Sequence, residues 1–336
     1  MTARPSTPWP ISLAGLARLG LCLALVTGLA PAAAAQAPEA VRPLHLTASP
    51  GAPPVLEARI NGAPVRLLVA PDAPRFVLLN PAAADRLGLR ANPLLSLGVR
   101  VDIGGDVSRG RTGRARVAPA GSEAFRQRVV WFEDFDVARG ADGVIGLTAI
   151  LSVDRLVVTI ADPERPADAA MAVARFPGRA GFEWVAYAEE DGLPLALRFS
   201  FSKPSSLARS TSAAFSMRGL IAPATEDLTL APFWFIDEAL AFEFPNRTLS
   251  LGGVAPDRFL RFAERSELEA HRRRVEYERR YGPIDAITVR APGARDPDDP
   301  YQLTLGGDAL TACWRIEFDY RSGAVTLRCP VRAPAR

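Results

Sequence analysis

Asn61-Gly62, set between the apolar runs Val55 to Ile60 and Val65 to Val69, constrains this chain more than any other pair of residues. Asn-Gly is the favoured pair for a two-residue type I′ hairpin turn, which needs positive φ at both central positions, so the runs are expected to be antiparallel strands. After a short loop, Phe76-Val77-Leu78-Leu79 reads as a third extended piece. Asn80-Pro81 then starts a helix, with Asn as its cap, Pro at its first position and the helix formers Ala82 to Leu87 behind them.

This order of strand, turn, strand, loop, strand and helix resembles the first half of a lobe of the retropepsin-like and pepsin-like aspartic peptidases, where the loop reads Asp-Thr-Gly-Ala. Here the loop is Ala70-Pro71-Asp72, followed by the expected Ala73. A second landmark follows at Val144-Ile145-Gly146. In the family an apolar-apolar-Gly sequence lies beside the catalytic loop, because Gly lets two backbones pass closely. The resemblance implies an all-β fold with short helices: two acid-protease lobes in one chain, related by a pseudo-twofold axis, with a cleft between them. It also makes the stretch Gly104, Gly105 to Gly113 a candidate flap over that cleft; an ordinary surface hairpin is the other reading.

The same grammar recurs after a boundary rich in Ala, Pro and Gly at 167–181, which separates a first lobe at 51–178 from a second at 179–330. Leu193 to Phe201 is a strand and Thr211 to Met217 a helix. Aligning Phe201 on Val69 makes Ser202-Lys203-Pro204 the second tripeptide, with Ser205 after it. Leu305-Gly306-Gly307 is the closing landmark. No Asp or Glu occurs between Asp191 and Glu226, so no shift of alignment supplies an acid. A charged block at 256–283 reads as a helix inserted in the second lobe, with Glu269/Arg273 and Glu276/Arg280 paired at i, i+4. It is either a solvated structural helix or a docking surface through Arg272-Arg273-Arg274. Folding the last hairpin about Arg321-Ser322-Gly323 sets Cys313 opposite Cys329, where a disulfide would close a loop of about 15 residues.

At 336 residues and 48% hydrophobic content the chain can bury two domain cores. Residues 1–35 read as a signal peptide, with Arg4 and Arg18 before the apolar run Leu19 to Ala30 and small residues leading to cleavage near Ala35. That places the protein in the periplasm or outside the cell, where a lone pair of cysteines is most simply a disulfide. Residues 36–50 read as a leader and 331–336 as a tail. Without residues 1–35 the chain carries 38 basic and 37 acidic side chains, a net +1, so the charge gives no reason to expect nucleic acid. No second apolar run is long enough to cross a membrane. His45 and His271 are the only histidines, too few for a His-based triad or metal site, and no metal or cofactor is expected. With both lobes in one chain, a monomer is expected.

Aspartic peptidases hold two carboxylates close enough to share a proton, one activating water while the other polarises the scissile carbonyl. Ala70 and Ser202 can do neither. Asp72 is the one acid near the site, and Lys203 across the cleft would pair with it. The expected cleft residues are Asp72, Ala73, Lys203, Ser205, Gly104, Gly105, Gly146 and Gly306. Three functions follow: a non-catalytic protein that binds an extended peptide or an envelope protein, an active peptidase with displaced chemistry at Asp72, or a structural envelope protein.

Overall fold

Buried and exposed residues alternate along most strands, as a sheet with one dry face requires. On Val55–Ile60, for example, Leu56, Ala58 and Ile60 turn inward while Glu57 and Arg59 face out. The computed structural model describes residues 42–91, 99–103, 106–133, 135–161, 171–180, 184–222, 228–231, 239–247, 249, 251, 254, 256–262, 273, 276–277, 279–280 and 300–330. The expected signal peptide and tail, Gly104, Gly105, His271 and most of the charged block lie outside them.

The first lobe follows a leading strand β1 (Pro43–Ala48). It runs β2 (Val55–Ile60), β3 (Ala63–Ala70), β4 (Val77–Leu79), helix α1 (Pro81–Arg86), β5 (Val99–Ile103), β6 (Asp106–Pro119), β7 (Phe125–Phe132) and β8 (Gly143–Gly146). The sheet order is β2-β3-β8-β4-β7-β6-β5, and β2 also pairs with β6, so the first six strands close into a barrel. At the β2–β3 turn Asn61 has φ 51° and Gly62 φ 91°, the double positive angle that the sequence demanded. Asn61 also accepts a hydrogen bond through Oδ1 from Arg116 N at 3.0 Å, fastening the turn to β6.

A strand β9 (Arg155–Ile160) leaves this lobe, and β10 (Met171–Phe176) leads into the next. The second lobe comprises β11 (Gly178–Ala180), β12 (Trp184–Glu190), β13 (Leu193–Phe199), β14 (Ser206–Leu207), α2 (Arg209–Met217), β15 (Leu228–Ala231), β16 (Ala239–Pro245), β17 (Arg258–Phe262), β18 (Tyr301–Leu305) and the short helix α3 (Gly307–Leu310). Its order, β11-β12-β13-β18-β14-β17-β16-β15, repeats the first lobe strand for strand from β12 onward. The β12–β13 turn repeats it too: Asp191 has φ 49° and Gly192 φ 70°. The fold is therefore mainly β and two-lobed.

A third sheet, β1-β9-β19-β20-β10, joins the lobes and is completed by β19 (Arg315–Asp319) and β20 (Val325–Pro330). Cys313 and Cys329 form the expected disulfide at its end. Four expectations change. The leader at 36–50 contains β1, whose Leu44, Leu46 and Ala48 are buried and which pairs in parallel with β9. The boundary at 167–181 contains β10 and β11. The inserted block also begins later than Pro256, because Arg258–Phe262 is strand β17; within the rest, Arg273, Glu276, Tyr277, Arg279 and Arg280 are helical and exposed. Asn80 differs in role as well. Pro81 opens α1 as expected, but the Asn80 side chain makes no cap. It donates to the carbonyls of Ala138 and Ala141 and accepts from the N–H groups of Val137 and Ala138, holding the loop before β8.

One core runs through all three sheets. Trp184 on β12 meets Phe318 on β19 edge-on at 5.6 Å and Tyr320 at 5.0 Å, while Phe199 on β13 meets Phe318 at 5.7 Å. The Tyr320 hydroxyl donates to the carbonyl of Leu147 in the first lobe at 2.9 Å, and burial pushes its phenol pKa up. The linking sheet is also laced with ion pairs. Glu317 faces Arg315 at 2.9 Å, and Asp154 faces Arg42 at 3.4 Å and Arg321 at 3.2 Å. The Arg42 N–H, reinforced by Arg321 against the opposing effect of burial, holds the Asp154 carboxyl below the usual range. Burial of Asp319 works the other way, but the N–H groups of Ser322 and Arg321 outweigh it and lower that carboxyl also.

Truncating the aromatic wedge, Trp184→Ala, is expected to lower the free energy of unfolding by about 3–5 kcal/mol in urea denaturation. Trp184→Phe keeps most of the packing and removes an indole N–H that has no acceptor among the described residues, so it should cost less than about 1.5 kcal/mol. Carboxyls with lowered folded-state pKa values stabilise the fold above the ordinary carboxylate range, and that contribution is lost as pH falls through the folded values. Stability should therefore drop on acidification below about pH 4, and Asp154→Asn should make the drop shallower.

Candidate functional site

Each lobe presents one loop over the end of a parallel strand pair. In the first lobe β3 runs beside β8, and their last paired residues are Ala70 and Gly146. In the second β13 runs beside β18 and ends with Phe199 opposite Leu305, after which Ser200 N donates to Leu305 O at 3.0 Å. Ser200, one step past Phe199 and beside Gly306, is thus the counterpart of Ala70. The loop contacts agree. A Cβ on Gly146 would overlap the carbonyls of Ala73 and Pro74, and one on Gly306 would overlap Pro204 and Ser205 N and crowd the Lys203 carbonyl. Ala73 therefore matches Lys203, and Pro74 matches Pro204.

This corrects the alignment of Phe201 on Val69 by two residues. Ser202 is the counterpart of Asp72, not of Ala70, and the position expected to carry the second acid belongs to Ser200. Ser200 is fully buried, and its hydroxyl accepts from Lys203 N at 3.0 Å. Ala73 N makes the equivalent bond to Ala70 O at 3.1 Å in the first lobe. The correction leaves the chemistry unchanged, since a methyl group and a hydroxyl still stand at the two positions.

The loops are braced differently. In the second lobe Ser205, fully buried, accepts from Gly306 N at 2.9 Å and gives both its N–H and its hydroxyl to Asp308 Oδ1, at 2.7 and 2.9 Å. Lys203 O accepts from Gly307 N at 2.8 Å. Ser205 was expected at the cleft as a lining residue; its bonds make it part of the loop's support, and Asp308 and Ser200 were missed. The signal for Asp308 was its place directly after the Gly306-Gly307 landmark. In the first lobe Ala70 and Ala73 are buried in a small apolar cluster with Leu78, Val130, Phe132 and Val144.

The two loops meet through charge. Lys203 Nζ lies 2.8 Å from Asp72 Oδ2, the pairing expected from the sequence, with the aspartate side chain 8% and the lysine side chain 20% exposed. It is a charge contact: Asp72 Oδ2 has no hydrogen-bond partner among the described residues. Asp72 Oδ1 and Ser202 Oγ, from equivalent positions of the two loops, are buried without hydrogen-bond partners among the described residues. The carboxylates nearest the loops thus have separate commitments, Asp72 to Lys203 and Asp308 to Ser205. Gly104 and Gly105 fall outside the described residues, but the strands they join, β5 and β6, pair as a hairpin.

Among the described residues no group of three or more His, Cys, Asp or Glu side chains is arranged to hold a metal, and no helix is long and apolar enough to cross a membrane. No protein-family model matches this chain, and no curated protein matches it.

A carboxylate this dry is destabilising once its cation is removed. Lys203→Met is expected to cost about 1–3 kcal/mol of stability. In an Asp72→Asn background the same change should cost much less, and a double-mutant cycle by urea denaturation measures the difference.

Proposed function

We propose that this chain is a non-catalytic, exported protein of the aspartic-peptidase-like class that binds an extended peptide, or another envelope protein, between its lobes. The observation that carries the proposal is the Asp72–Lys203 contact. Acid–base hydrolysis of this kind needs two carboxyls sharing one proton. Here the acid positions are Ala70 and Ser200, and of the two carboxylates nearest the loops Asp72 faces an ammonium while Asp308 is bonded to Ser205. What supports retained binding is the repeated scaffold: two lobes of one strand order, each with a loop over Gly146 or Gly306, and a β5–β6 hairpin at the place of the candidate flap. Strand edges flanking a cleft accept an extended chain by backbone pairing, which asks nothing of the missing acids. Fold alone does not fix function, so the reading rests on the site.

The test incubates the full mature chain with a mixed peptide library between pH 3 and 7, with mass spectrometry of both free and protein-retained peptides. Intact peptides retained by the protein are expected. Cleavage that pepstatin inhibits and Asp72→Asn abolishes would overturn the proposal in favour of a peptidase. Neither cleavage nor retention would overturn it in favour of a structural envelope protein.

A further inference from the structure

The outer face of the first barrel carries a cluster of positive charge that the fold itself does not explain. On β6 and β7, Ala115, Val117, Val129 and Trp131 point into the core. The opposite face of the same pair exposes Arg114 directly across from Arg128, and Arg116 directly across from Arg126. Like charges facing each other across neighbouring strands are destabilising. Elsewhere the chain relieves such charges: Arg66 meets Glu57, Arg86 meets Asp142, Arg258 meets Glu243, and Glu317 serves Arg315 and Arg328. Among the described residues none of the four, nor exposed Arg75 beside them, has an ion pair.

The face is concave. Two adjoining pockets of about 520 and 500 Å³ share Arg114 and Arg126. One extends toward Arg116, Asn61 and Phe125, the other toward Arg75, Phe76 and Leu151. Leu151, 48% exposed, gives the second pocket an apolar wall among cations.

We infer that this groove is a docking site for an acidic, extended segment of a partner protein, one with carboxylates at alternate positions and apolar side chains nearby. Residues two apart on a strand are separated by about 6.7 Å, so an extended peptide repeats its carboxylates at the spacing of Arg114 and Arg116. The guanidinium fork binds carboxylates bidentately. Two joined pockets with an apolar wall suit a chain lying in a channel better than a flat anionic lipid surface.

The probe is a labelled peptide of alternating Glu and Leu, titrated into the full chain by fluorescence anisotropy, beside a Gln-for-Glu control, anionic phosphatidylglycerol vesicles and a single-stranded oligonucleotide. Binding of the acidic peptide alone is expected. It should weaken at least about tenfold in Arg114→Glu/Arg126→Glu and fall steeply with added salt. The milder Arg114→Gln/Arg128→Gln should weaken binding while leaving the melting temperature unchanged or raised, which separates lost docking from lost folding. No peptide binding, equal binding of the Gln control, or binding untouched by the charge reversal would overturn the inference. So would binding of the vesicles or the oligonucleotide with the peptide silent. Lys203→Met should not affect this binding, so the result is independent of the inter-lobe reading.

Discussion

In each lobe a loop crosses the end of a parallel strand pair so closely that its neighbour has no room for a β-carbon. Gly146 lies against the carbonyls of Ala73 and Pro74, and Gly306 against Pro204 and Ser205. That contact fixes the path of the loop, hence which residue stands at the strand end and which turns toward the other lobe. Ala70 and Ser200 are held at the strand ends and buried. Asp72 and Lys203 are the residues released toward one another. The two loops thus meet through one carboxylate and one ammonium, contributed from non-equivalent positions of the repeat.

Much of this was legible in the residues. Asn61-Gly62 and the alternation around it gave the first hairpin, and the apolar-apolar-Gly landmarks gave the crossings. The place of Lys203 in the second loop, across from Asp72 in the first, pointed to the inter-lobe contact. The second lobe's register was not legible from its strand, for a physical reason. Leu195, Leu197, Phe199 and Phe201 alternate with smaller or polar residues, and a slip of two residues along such a pattern leaves every side chain on its original face. Only the partner strand decides, through Phe199 opposite Leu305. The turn at Asp191-Gly192 carried the same information as Asn61-Gly62 and would have anchored the repeat from its other side. Strands β1 and β10 were hidden by Pro- and Ala-rich surroundings, although Leu44, Leu46 and Ala48 show the alternation of a sheet with one dry face. Asn80 stands at the N-cap of α1 as its position suggests, but its amide serves a distant loop, a tertiary demand that a local pattern does not contain.

The distribution of charge separates two uses of arginine in one chain. On the linking sheet, guanidinium groups are interleaved with Glu317, Asp319 and Asp154, and the pairs are partly dry, so they tie strands distant in sequence. On the outer face of the first barrel the strands hold arginine against arginine. The linking sheet also sets Arg315 opposite Arg328, but Glu317 lies against both; on the barrel face the facing arginines have no such acid among the described residues, and that is what tells the two faces apart.

The linking sheet also governs the order of events when the chain folds. Strand β9 lies between β1 and β19, so a segment near residue 45 is neighbour-but-one to a segment near residue 317. Contacts of such long sequence separation form late and slowly. Each barrel-like half can collapse on its own hairpins as it emerges, but the seam between them cannot be sewn until the final hairpin is delivered. A chain whose last hairpin has not yet been delivered would thus spend an interval as two loose halves with unpaired strand edges, which is when a holding chaperone would matter most.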